Sequence, residues 1–268
     1  MAFKYDEHNK YHRLGRMALM ISASLVVFIW LWWMISLLYN DPAIPDPGKT
    51  FSALRDLIAN GDRFTGLTLS AYIKASLTKF AKGFLLACAA AIPAGLILGY
   101  FKPLREFTEP WVEILRPIAP IAWAPIFIIL FGYTNGAMMV VFIGIFFPLL
   151  TNVTFGVTKI DSVLLDAART LGASPLQVFV KVLVPSTVPY VLNGIKVGLG
   201  VGWMCIVAAE LYATPLGGIG FYVANMITFG AYDYAFAGIV VIAVLGLLTT
   251  GVAEMLSRII NKRMGIDA

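Results

Sequence analysis

Long apolar segments recur along the whole chain, separated by short stretches that carry charges, prolines or glycines. A helix needs about 20 apolar residues to cross the hydrocarbon core of a bilayer, and several of these segments approach or exceed that length. The pattern therefore predicts an all-α membrane protein with about six transmembrane helices. The predicted spans are Met17–Leu38, Gly83–Phe101, Pro117–Phe131, Ala137–Thr158, Val188–Tyr212 and Ala235–Glu254.

Three connections between the spans have a predictable structure. Residues Asn40–Lys49 are rich in proline and are predicted not to be helical. Thr50–Ile58 could form a short helix at the membrane surface. The segment Gly132–Gly136 is short and polar, which predicts a tight turn between the third and fourth spans.

The connection between the fourth and fifth spans, residues 157–185, is unusually charged for its position. It is predicted to form two short helices with a break at Gly172–Pro175. Asp161 or Ser162 can cap the first helix, and Ser174 followed by Pro175 is typical of a helix start. Gly172 stands where a positive φ would end the first helix. The segment should form a small amphipathic bracket at the membrane surface.

Composition and charge exclude several classes of function. With 59% hydrophobic and 13% charged residues, the chain is not a soluble globular protein. Its net charge of +5 arises from small clusters beside apolar segments. No nucleic-acid partner is therefore expected. Cys88 and Cys205 both lie within apolar segments, which argues against a disulfide. His8 and His12 are four residues apart in a terminal arm, where solvated side chains are more common than a metal site.

The distribution of lysine and arginine predicts the orientation. With the N-terminus in the cytoplasm, 12 of these residues fall on the cytoplasmic side and six on the other, with Arg116 and Lys196 set aside. Both termini are therefore expected to be cytoplasmic. The first apolar segment is too long for a removable signal peptide. Lys74, Lys79 and Lys82 oppose this simple picture: they could extend to the outer headgroups or attract an anion to the outer mouth.

Part of the charged segment matches a known family motif. The run Asp166-Ala167-Ala168-Arg169-Thr170-Leu171-Gly172-Ala173-Ser174, followed by Phe179, Val182 and Pro185, resembles the EAA loop of ATP-binding cassette (ABC) importer permeases. In that family the loop supplies a coupling helix that docks into the ATPase subunit. The resemblance implies that the ATPase-coupling residues are Asp166, Ala167, Ala168, Arg169, Leu171, Gly172, Ala173, Ser174 and Phe179. Asp166 replaces the usual glutamate.

Other stretches narrow the resemblance to one branch. Residues 76–99, 115–125 and 198–210 resemble the nitrate/sulfonate/taurine/bicarbonate permeases, which implies import of a small anion. Lys79 stands where that branch commonly has arginine, and Phe131–Asn135 also departs from its pattern. Related permeases carry thiamine precursors, riboflavin-like rings or aromatic carboxylates, so these substrates remain alternatives.

The resemblance also implies an architecture and a set of partners. We expect a single permease domain of type I ABC importer architecture over residues 1–268, with an N-terminal arm, first span and outer loop (1–69), a core (70–260) and a cytoplasmic coupling helix within 157–185. Two copies would pair in the inner membrane with two ATP-binding subunits and an extracytoplasmic solute-binding protein. ATP and Mg²⁺ would bind to the partner ATPase, because this chain contains no phosphate-binding or nucleophile motif and is not expected to be an enzyme or to bind a cofactor or metal.

Polar residues within the spans are candidates for a translocation pathway, since a charge near the bilayer centre costs about 3 kcal/mol or more unless it faces a cavity or a partner. Lys196, Trp203 and Glu210 are seven residues apart and so share one helix face. Lys196 could instead pair with a carboxylate, and Trp203 could simply pack. Arg116 and Trp123 are further candidates beside the prolines of the third span, although Arg116 could pair with Glu113. A secondary transporter is a less favoured alternative, because no inverted repeat or set of coupling carboxylates is evident.

Overall fold

In the computed structural model, the described residues are 10–212 and 217–265, with only the backbone described for 10–14. They form helices without any β-strand, so the all-α prediction is confirmed for this part of the chain. The helices are α1 (Lys10–Tyr39), α2 (Pro47–Asn60), α3 (Leu69–Tyr100), α4 (Lys102–Leu115), α5 (Ala124–Thr158), α6 (Ser162–Thr170), α7 (Pro175–Val178), α8 (Val184–Glu210), α9 (Ile219–Thr228) and α10 (Tyr232–Arg263). A 3-10 turn, Pro120–Trp123, precedes α5, and a π-helical turn, Phe179–Leu183, joins α7 to α8.

Within the described residues, five helical stretches are long and apolar enough to cross a membrane: Gly15–Tyr39, Leu69–Tyr100, Pro120–Thr158, Pro175–Glu210 and Tyr232–Arg263. Most are longer than the predicted spans. For example, α3 begins at Leu69 rather than at Gly83, because polar side chains end an apolar pattern without interrupting backbone hydrogen bonds. The prediction that Asn40–Lys49 is not helical is wrong at Pro47–Lys49, and the predicted short helix is confirmed as α2. It starts earlier, at Pro47, because the Asp46 carboxylate caps its first turn by accepting from the Lys49 N–H at 2.9 Å.

The stretch Pro120–Thr158 contains the predicted fourth span and all of the predicted third span except residues 117–119, and it folds back on itself at Gly132. This glycine has a φ of 76° and a ψ of 170°, a conformation that residues with a side chain rarely adopt. A Cβ on Gly136 would lie 2.8 Å from the Cα of Ile128. In a straight helix, two residues eight positions apart are separated by about 12 Å along the axis. The predicted turn is therefore confirmed, but it is confined to Gly132, and the third span is a short helix preceded by non-helical residues.

The directions of the helices follow from contacts between glycines and larger side chains. A Cβ on each of three glycines of α3 would meet a valine 58 positions later in α5: Gly83 meets Val141, Gly95 meets Val153 and Gly99 meets Val157. The two helices therefore run parallel, and the segment 101–132 must return from the end of α3 to its beginning. Counting this return, the chain passes along the bundle six times, although only five stretches are long apolar helices. We call the end where α3 begins the outer end and the end where it finishes the inner end, following the predicted orientation.

Close contact between small residues holds α3, α5 and α8 together. Small side chains occupy every fourth position of the α3 face that meets α5, namely Gly83, Ala87, Ala91, Gly95 and Gly99. On α8, Gly194 and Gly198 contact Leu149 and Ile145 of the antiparallel α5. Such positions let helix backbones approach closely where lipid gives no hydrophobic drive for association. Gly200 of α8, in contrast, has no atom within 4 Å of its Cβ position, so its surface is free in this chain.

A second apolar cluster lies at the outer end, where α9 packs among α2, α3 and α10. Its most buried members include Leu57, Tyr72 and Tyr222. Asp56 of α2 accepts a hydrogen bond from the Tyr234 hydroxyl of α10 at 2.5 Å and pairs with Arg63 at 2.8 Å. These bonds, with one from Asn60, lower the pKa of Asp56 to about 2. Helix α2 at the outer surface is therefore attached to α10 of the bundle by a hydrogen bond.

Helix α1 lies beside this outer end and is otherwise open along its length. The Trp32 indole N–H donates to the Pro45 carbonyl at 3.0 Å, and the Trp32 ring stacks on Phe236 with centroids 5.9 Å apart. Trp30 and Trp33 remain about half exposed, as expected for side chains at a membrane interface.

The Gly95 contact can be tested by overpacking it. We expect Gly95→Val to lower the melting temperature of the detergent-solubilised protein by about 5 °C, because the new methyl groups would overlap Val153. Gly251→Val is the matched control, since no atom lies within 4 Å of the Gly251 Cβ position in α10. Thermal unfolding followed by size-exclusion chromatography measures both, and equal melting temperatures would contradict the packing assignment.

Candidate coupling loop and translocation pathway

The local structure of segment 157–185 agrees with its predicted start and stop signals. The Asp161 carboxylate accepts from the Val163 N–H at 2.9 Å and caps α6. Ser174 and Gln177 form a reciprocal capping box at the start of α7, with bonds of 3.3 and 2.8 Å. Gly172 has a φ of 84°, which ends α6 and turns the chain toward α7. The predicted two-helix bracket is confirmed.

The coupling loop, as we call segment 157–185, presents apolar side chains at the inner end of the bundle. Leu171 is 88% exposed, Leu176 71% and Val163 69%. Of the predicted coupling residues, Asp166, Ala167, Arg169, Leu171, Gly172 and Ser174 are exposed, and Ala168, Ala173 and Phe179 are half-buried. The half-buried group anchors the loop: the Phe179 ring meets Tyr100 edge-on at a centroid distance of 5.3 Å. The exposed surface of the coupling loop therefore combines apolar side chains with charged and polar ones.

The charge of Asp166 is balanced within the same helix. Its carboxylate pairs with the Arg169 guanidinium at 3.0 Å, and both side chains are more than half exposed. A pair this exposed contributes little to the stability of the chain, typically below about 1 kcal/mol. The two groups are therefore available to a partner that covers the loop.

The three predicted pathway residues of α8 lie in three different environments. Trp203 is only 5% exposed: its ring stacks on Phe80 at 4.8 Å and its indole N–H donates to the Thr249 hydroxyl at 2.6 Å. Lys196 is half-exposed and its Nζ lies 4.0 Å from Glu254 of α10, whose nearer partner is Arg258 at 2.8 Å. Glu210 is fully buried at the outer end. The shared helix face does not produce a shared channel within one copy of the chain.

Glu210 belongs to a buried cluster of polar side chains whose contacts were not predicted from the sequence. Its carboxylate pairs with Lys79 of α3 at 2.9 Å and accepts from the Ser76 hydroxyl at 2.8 Å and from the Gly220 N–H of α9 at 3.1 Å. The Lys79 ammonium also donates to the Gly217 carbonyl at 2.6 Å. We call Ser76, Lys79 and Glu210 the outer cluster. Its sequence signal was one of three lysines that precede an apolar span, Lys79, and one carboxylate within another span, Glu210, but nothing local indicated that the two would meet.

The outer cluster also requires glycine at positions 218 and 220, where a side chain would collide with α8. Gly218 has a φ of 154°, and a Cβ there would overlap the Glu210 carboxylate. A Cβ on Gly220 would lie 2.5 Å from the Val207 carbonyl. The close approach of this backbone lets α9 begin directly on the carboxylate, where the positive end of the helix dipole favours a negative charge. Lys79 is therefore buried and paired, so of the three outer lysines only Lys74 and Lys82 are exposed.

Arg116 borders a cavity of about 370 Å³ between α4 and the inner half of α5, which we call the inner cavity. The alternative that Arg116 pairs with Glu113 is not met: neither side chain takes part in an ion pair within the described chain. Trp123 lies in the 3-10 turn beyond it, with its ring stacked on Phe127 at 6.0 Å. The polar lining of the cavity consists of Arg105, Thr108, Glu109, Glu113, Arg116, Thr151, Thr154 and Thr158.

One further polar contact lies on the open surface. The Asn193 amide of α8 donates to the Asn152 side chain of α5 at 2.9 Å, and the pair is exposed in the single chain. No group of three or more His, Cys, Asp or Glu residues in the described part of the chain could hold a metal ion. His8 and the side chain of His12 lie outside that part.

Comparison with known proteins places this geometry in a family. The model for binding-protein-dependent transport system inner membrane components matches residues 91–265. The taurine transport system permease protein TauC of Escherichia coli is 34% identical over 238 residues, which cover 88% of this chain and 86% of TauC. The aliphatic sulfonates permease SsuC of Bacillus subtilis, described as putative, is 30% identical and covers 87% of this chain and 83% of SsuC. The nitrate import permease NrtB of Synechococcus elongatus is 33% identical, covering 74% and 73%.

Solved structures show the same fold at lower identity. An inward-facing conformation of the MetNI methionine ABC transporter aligns with a TM-score of 0.62 at 19% identity, covering 72% of this chain and 95% of that one. A bacterial alginate ABC transporter in complex with its pentasaccharide-bound periplasmic protein aligns with a TM-score of 0.58 at 17% identity, covering 94% and 98%.

Fold and relatives together define the class of the protein, a membrane-spanning permease subunit of an ABC importer. The chain belongs to the family of binding-protein-dependent transport system inner membrane components, and its relatives confirm the nitrate, sulfonate and taurine branch. It is a multi-pass protein of the inner membrane that serves as a transport subunit and not as an enzyme. The predicted roles of individual coupling and pathway residues stay predictions.

Removing one partner of the outer cluster should destabilise the protein strongly. An uncompensated buried charge typically costs about 3–5 kcal/mol, so Lys79→Met is expected to lower the melting temperature by roughly 10 °C. Lys79→Arg should retain most of the stability, because the charge and the donors remain. Lys74→Met in the exposed part of α3 is the control. A Lys79→Met protein as stable as the Lys74→Met protein would show that the pair is dispensable.

Proposed function

We propose that two copies of this chain form the transmembrane route of an importer, that two ATP-binding subunits dock on their coupling loops, and that an extracytoplasmic binding protein delivers a small anion. The observation that carries the proposal is the exposed apolar surface of the coupling loop at the inner end. Leu171 and Leu176 are stably positioned there by caps and by Phe179, yet no part of the described chain covers them. An apolar surface of this kind beside polar groups is typical of a protein interface.

The coupling loop is well placed to transmit movement. Its second helix, α7, continues through the π-helical turn into α8, so Pro175–Glu210 is one helical stretch. With about 1.5 Å of rise per residue, α8 alone is about 40 Å long, which is enough to cross the membrane. Closure of the ATPase pair would move the loop and switch the route between inward-facing and outward-facing states. ATP and Mg²⁺ would bind to the partner subunits.

The proposed substrate class rests on the relatives, whose names specify taurine, aliphatic sulfonates and nitrate. A small anion of the nitrate, sulfonate, taurine or bicarbonate type is therefore the expected cargo. Arg116 on the inner cavity and the half-exposed Lys196 are the predicted pathway cations with accessible surface, and the exposed Asn152–Asn193 pair extends this polar surface. Buried Trp203 and Glu210 fit better as packing and anchoring residues in this conformation.

We further propose that both termini are cytoplasmic. The basic residues near the inner end of the described chain, including Lys102, Arg105, Lys159, Lys181 and Arg258, support this orientation. They lie in the first turns of α4, in the coupling loop and near the end of α10, which the fold brings to the same side.

Copurification tests the assembly directly. Gentle detergent purification of the tagged chain from its native membrane should recover an ATP-binding subunit in nearly equal amount, identified by mass spectrometry. A chain that emerges alone, from membranes in which other ABC complexes survive the same detergent, would favour a secondary transporter.

The shape of the coupling loop is tested at Gly172. The φ of this residue is 84°. A β-branched residue is strained in that conformation, so Gly172→Val should redirect α7 and abolish most transport. Thr170→Val introduces the same side chain two positions earlier in helical backbone and should retain transport. Normal uptake and normal ATPase association in Gly172→Val would refute the role of the turn.

The charge of the coupling loop is tested at Asp166. We expect Asp166→Ala to weaken ATPase binding by about tenfold, equivalent to about 1.4 kcal/mol, because it removes the acidic group of the docking surface. Asp161→Asn removes a second exposed acid but keeps an N-cap, and it should bind normally. Binding is measured by titrating the purified ATPase subunit onto immobilised permease, and equal affinities for the two variants would exclude a docking role for Asp166.

A further inference from the structure

Three of the four charged side chains of the inner cavity lie on α4, and the fourth, Arg116, follows the helix directly and keeps helical backbone angles. Arg105, Glu109, Glu113 and Arg116 are separated by four, four and three residues, so they share one face of the helix. The opposite face carries large apolar side chains that remain exposed, including Phe107 at 70% and Trp111 at 61%. Helix α4 therefore turns its charged face toward the threonines of α5 and its apolar face away from the bundle.

This charged face extends to membrane depth. Val112, between Glu109 and Glu113, packs against the cluster formed by Ala91, Leu150 and Val153. Ala91 lies nine residues before the inner end of α3, which corresponds to about 13 Å along the axis. Because α3 is longer than the hydrocarbon core of a bilayer, this level corresponds to the inner part of the apolar layer, where a charge is tolerated when it faces water, a partner or a solute. Residues 117–119 are non-helical at this level, as expected for backbone that lines a cavity.

None of the four charges is neutralised by the rest of the described chain. Lys102 and Glu106 form the ion pair seen on α4, and no ion pair includes Arg105, Glu109, Glu113 or Arg116. Arg105 is half-buried, and the other three are exposed toward the cavity or its opening. Two cations and two anions thus face the same space with their hydrogen-bonding capacity unused.

The neighbouring threonines add acceptors. The Thr108 hydroxyl donates to the Leu104 carbonyl at 2.9 Å, Thr151 to Phe147 at 3.0 Å and Thr158 to Phe155 at 2.8 Å. Because each proton is used within its own helix, the oxygen lone pairs are the groups left for a solute. The inner cavity therefore offers guanidinium donors together with carboxylate and hydroxyl acceptors.

We propose that the inner cavity is a transit site for a zwitterionic solute of the aminoalkylsulfonate class, with its sulfonate on Arg105 or Arg116 and its ammonium group on Glu109 or Glu113. This inference rests on the proposed import function and specifies its substrate. A plain anion would meet two repelling carboxylates for its two guanidinium partners and would gain little net attraction. A solute with both charges can satisfy both kinds of group, and Arg and Glu residues three or four positions apart have Cβ atoms about 5–6 Å apart, a suitable spacing for a short zwitterion.

The size of the cavity, about 370 Å³, agrees with this assignment. A space of this size is enough for a small solute and several water molecules.

The test compares taurine with isethionate, which carries a hydroxyl in place of the ammonium group. Uptake of each is measured in vesicles that contain the complete transporter and its own binding protein. Because that protein is the same throughout, its selectivity cancels when the taurine-to-isethionate ratio of a variant is divided by that of the wild type. We expect Glu113→Gln or Glu109→Gln to lower this ratio by about tenfold, as a charge-assisted hydrogen bond is lost. Arg116→Gln should lower the uptake of both sulfonates.

Glu106→Gln is the matched control, since Glu106 lies on the same helix and does not line the cavity. Its ratio should equal that of the wild type. Unchanged ratios in both Glu109→Gln and Glu113→Gln would overturn the proposal, as would uptake of nitrate without either sulfonate. In both cases ATP-driven uptake would still establish the importer, whereas failure to bind an ATPase subunit would refute the importer itself.

A second measurement covers the case in which the Glu variants do not assemble. In a Thr151→Cys transporter, taurine should slow modification of the new thiol by a polar thiol reagent, and isethionate should protect it less. The unsubstituted transporter, which retains Cys88 and Cys205, gives the background. Equal protection by the two sulfonates, or none, would contradict a site that recognises the ammonium group.

Discussion

The buried pair between Lys79 and Glu210 is the interaction on which the arrangement of the outer half depends. The pair lies between the apolar cluster of α3, α5 and α8 and the second apolar cluster around α9. It is therefore a polar contact that connects the two clusters. The donors that reach the carboxylate come from α3 and from the start of α9, and α9 can begin where it does because Gly218 and Gly220 leave room for this approach. A buried charge is stable only when its partners are fixed, and both charges of this pair have an opposite charge and at least one further hydrogen-bond partner.

In the inner half, close packing of small residues fixes the arrangement of the helices. The α3 face built from small residues brings the helix backbone against α5, and α8 uses glycines against the other side of α5. The three helices thus form a compact unit that connects the coupling loop to the outer cluster. Helix α1 lies outside this unit and joins it through Trp32 and the connection to α2.

Two groups of side chains without partners in the described chain are the basis of the proposed functional surfaces. The charges of the outer cluster are compensated inside the chain, whereas the apolar side chains of the coupling loop and the charged face of α4 are not. The first surface faces the aqueous inner end, which suits a protein partner, and the second lines a cavity at membrane depth, which suits a polar solute. The same principle, that buried polar groups and exposed apolar groups need partners, accounts for both.

The sequence by itself determined the number of passes, the class of protein, the caps of the coupling loop and the turn at Gly132, because apolar length, N-cap residues and positive-φ glycines act over a few residues. Only the tertiary structure decided that Glu210 pairs with Lys79, that Trp203 is enclosed between Phe80 and Thr249, and that Arg116 stays free of Glu113. Helix periodicity placed Lys196, Trp203 and Glu210 on one face, but a helix about 40 Å long meets different neighbours along its length. Partners more than 100 residues apart in the chain are chosen by packing, which no local pattern encodes.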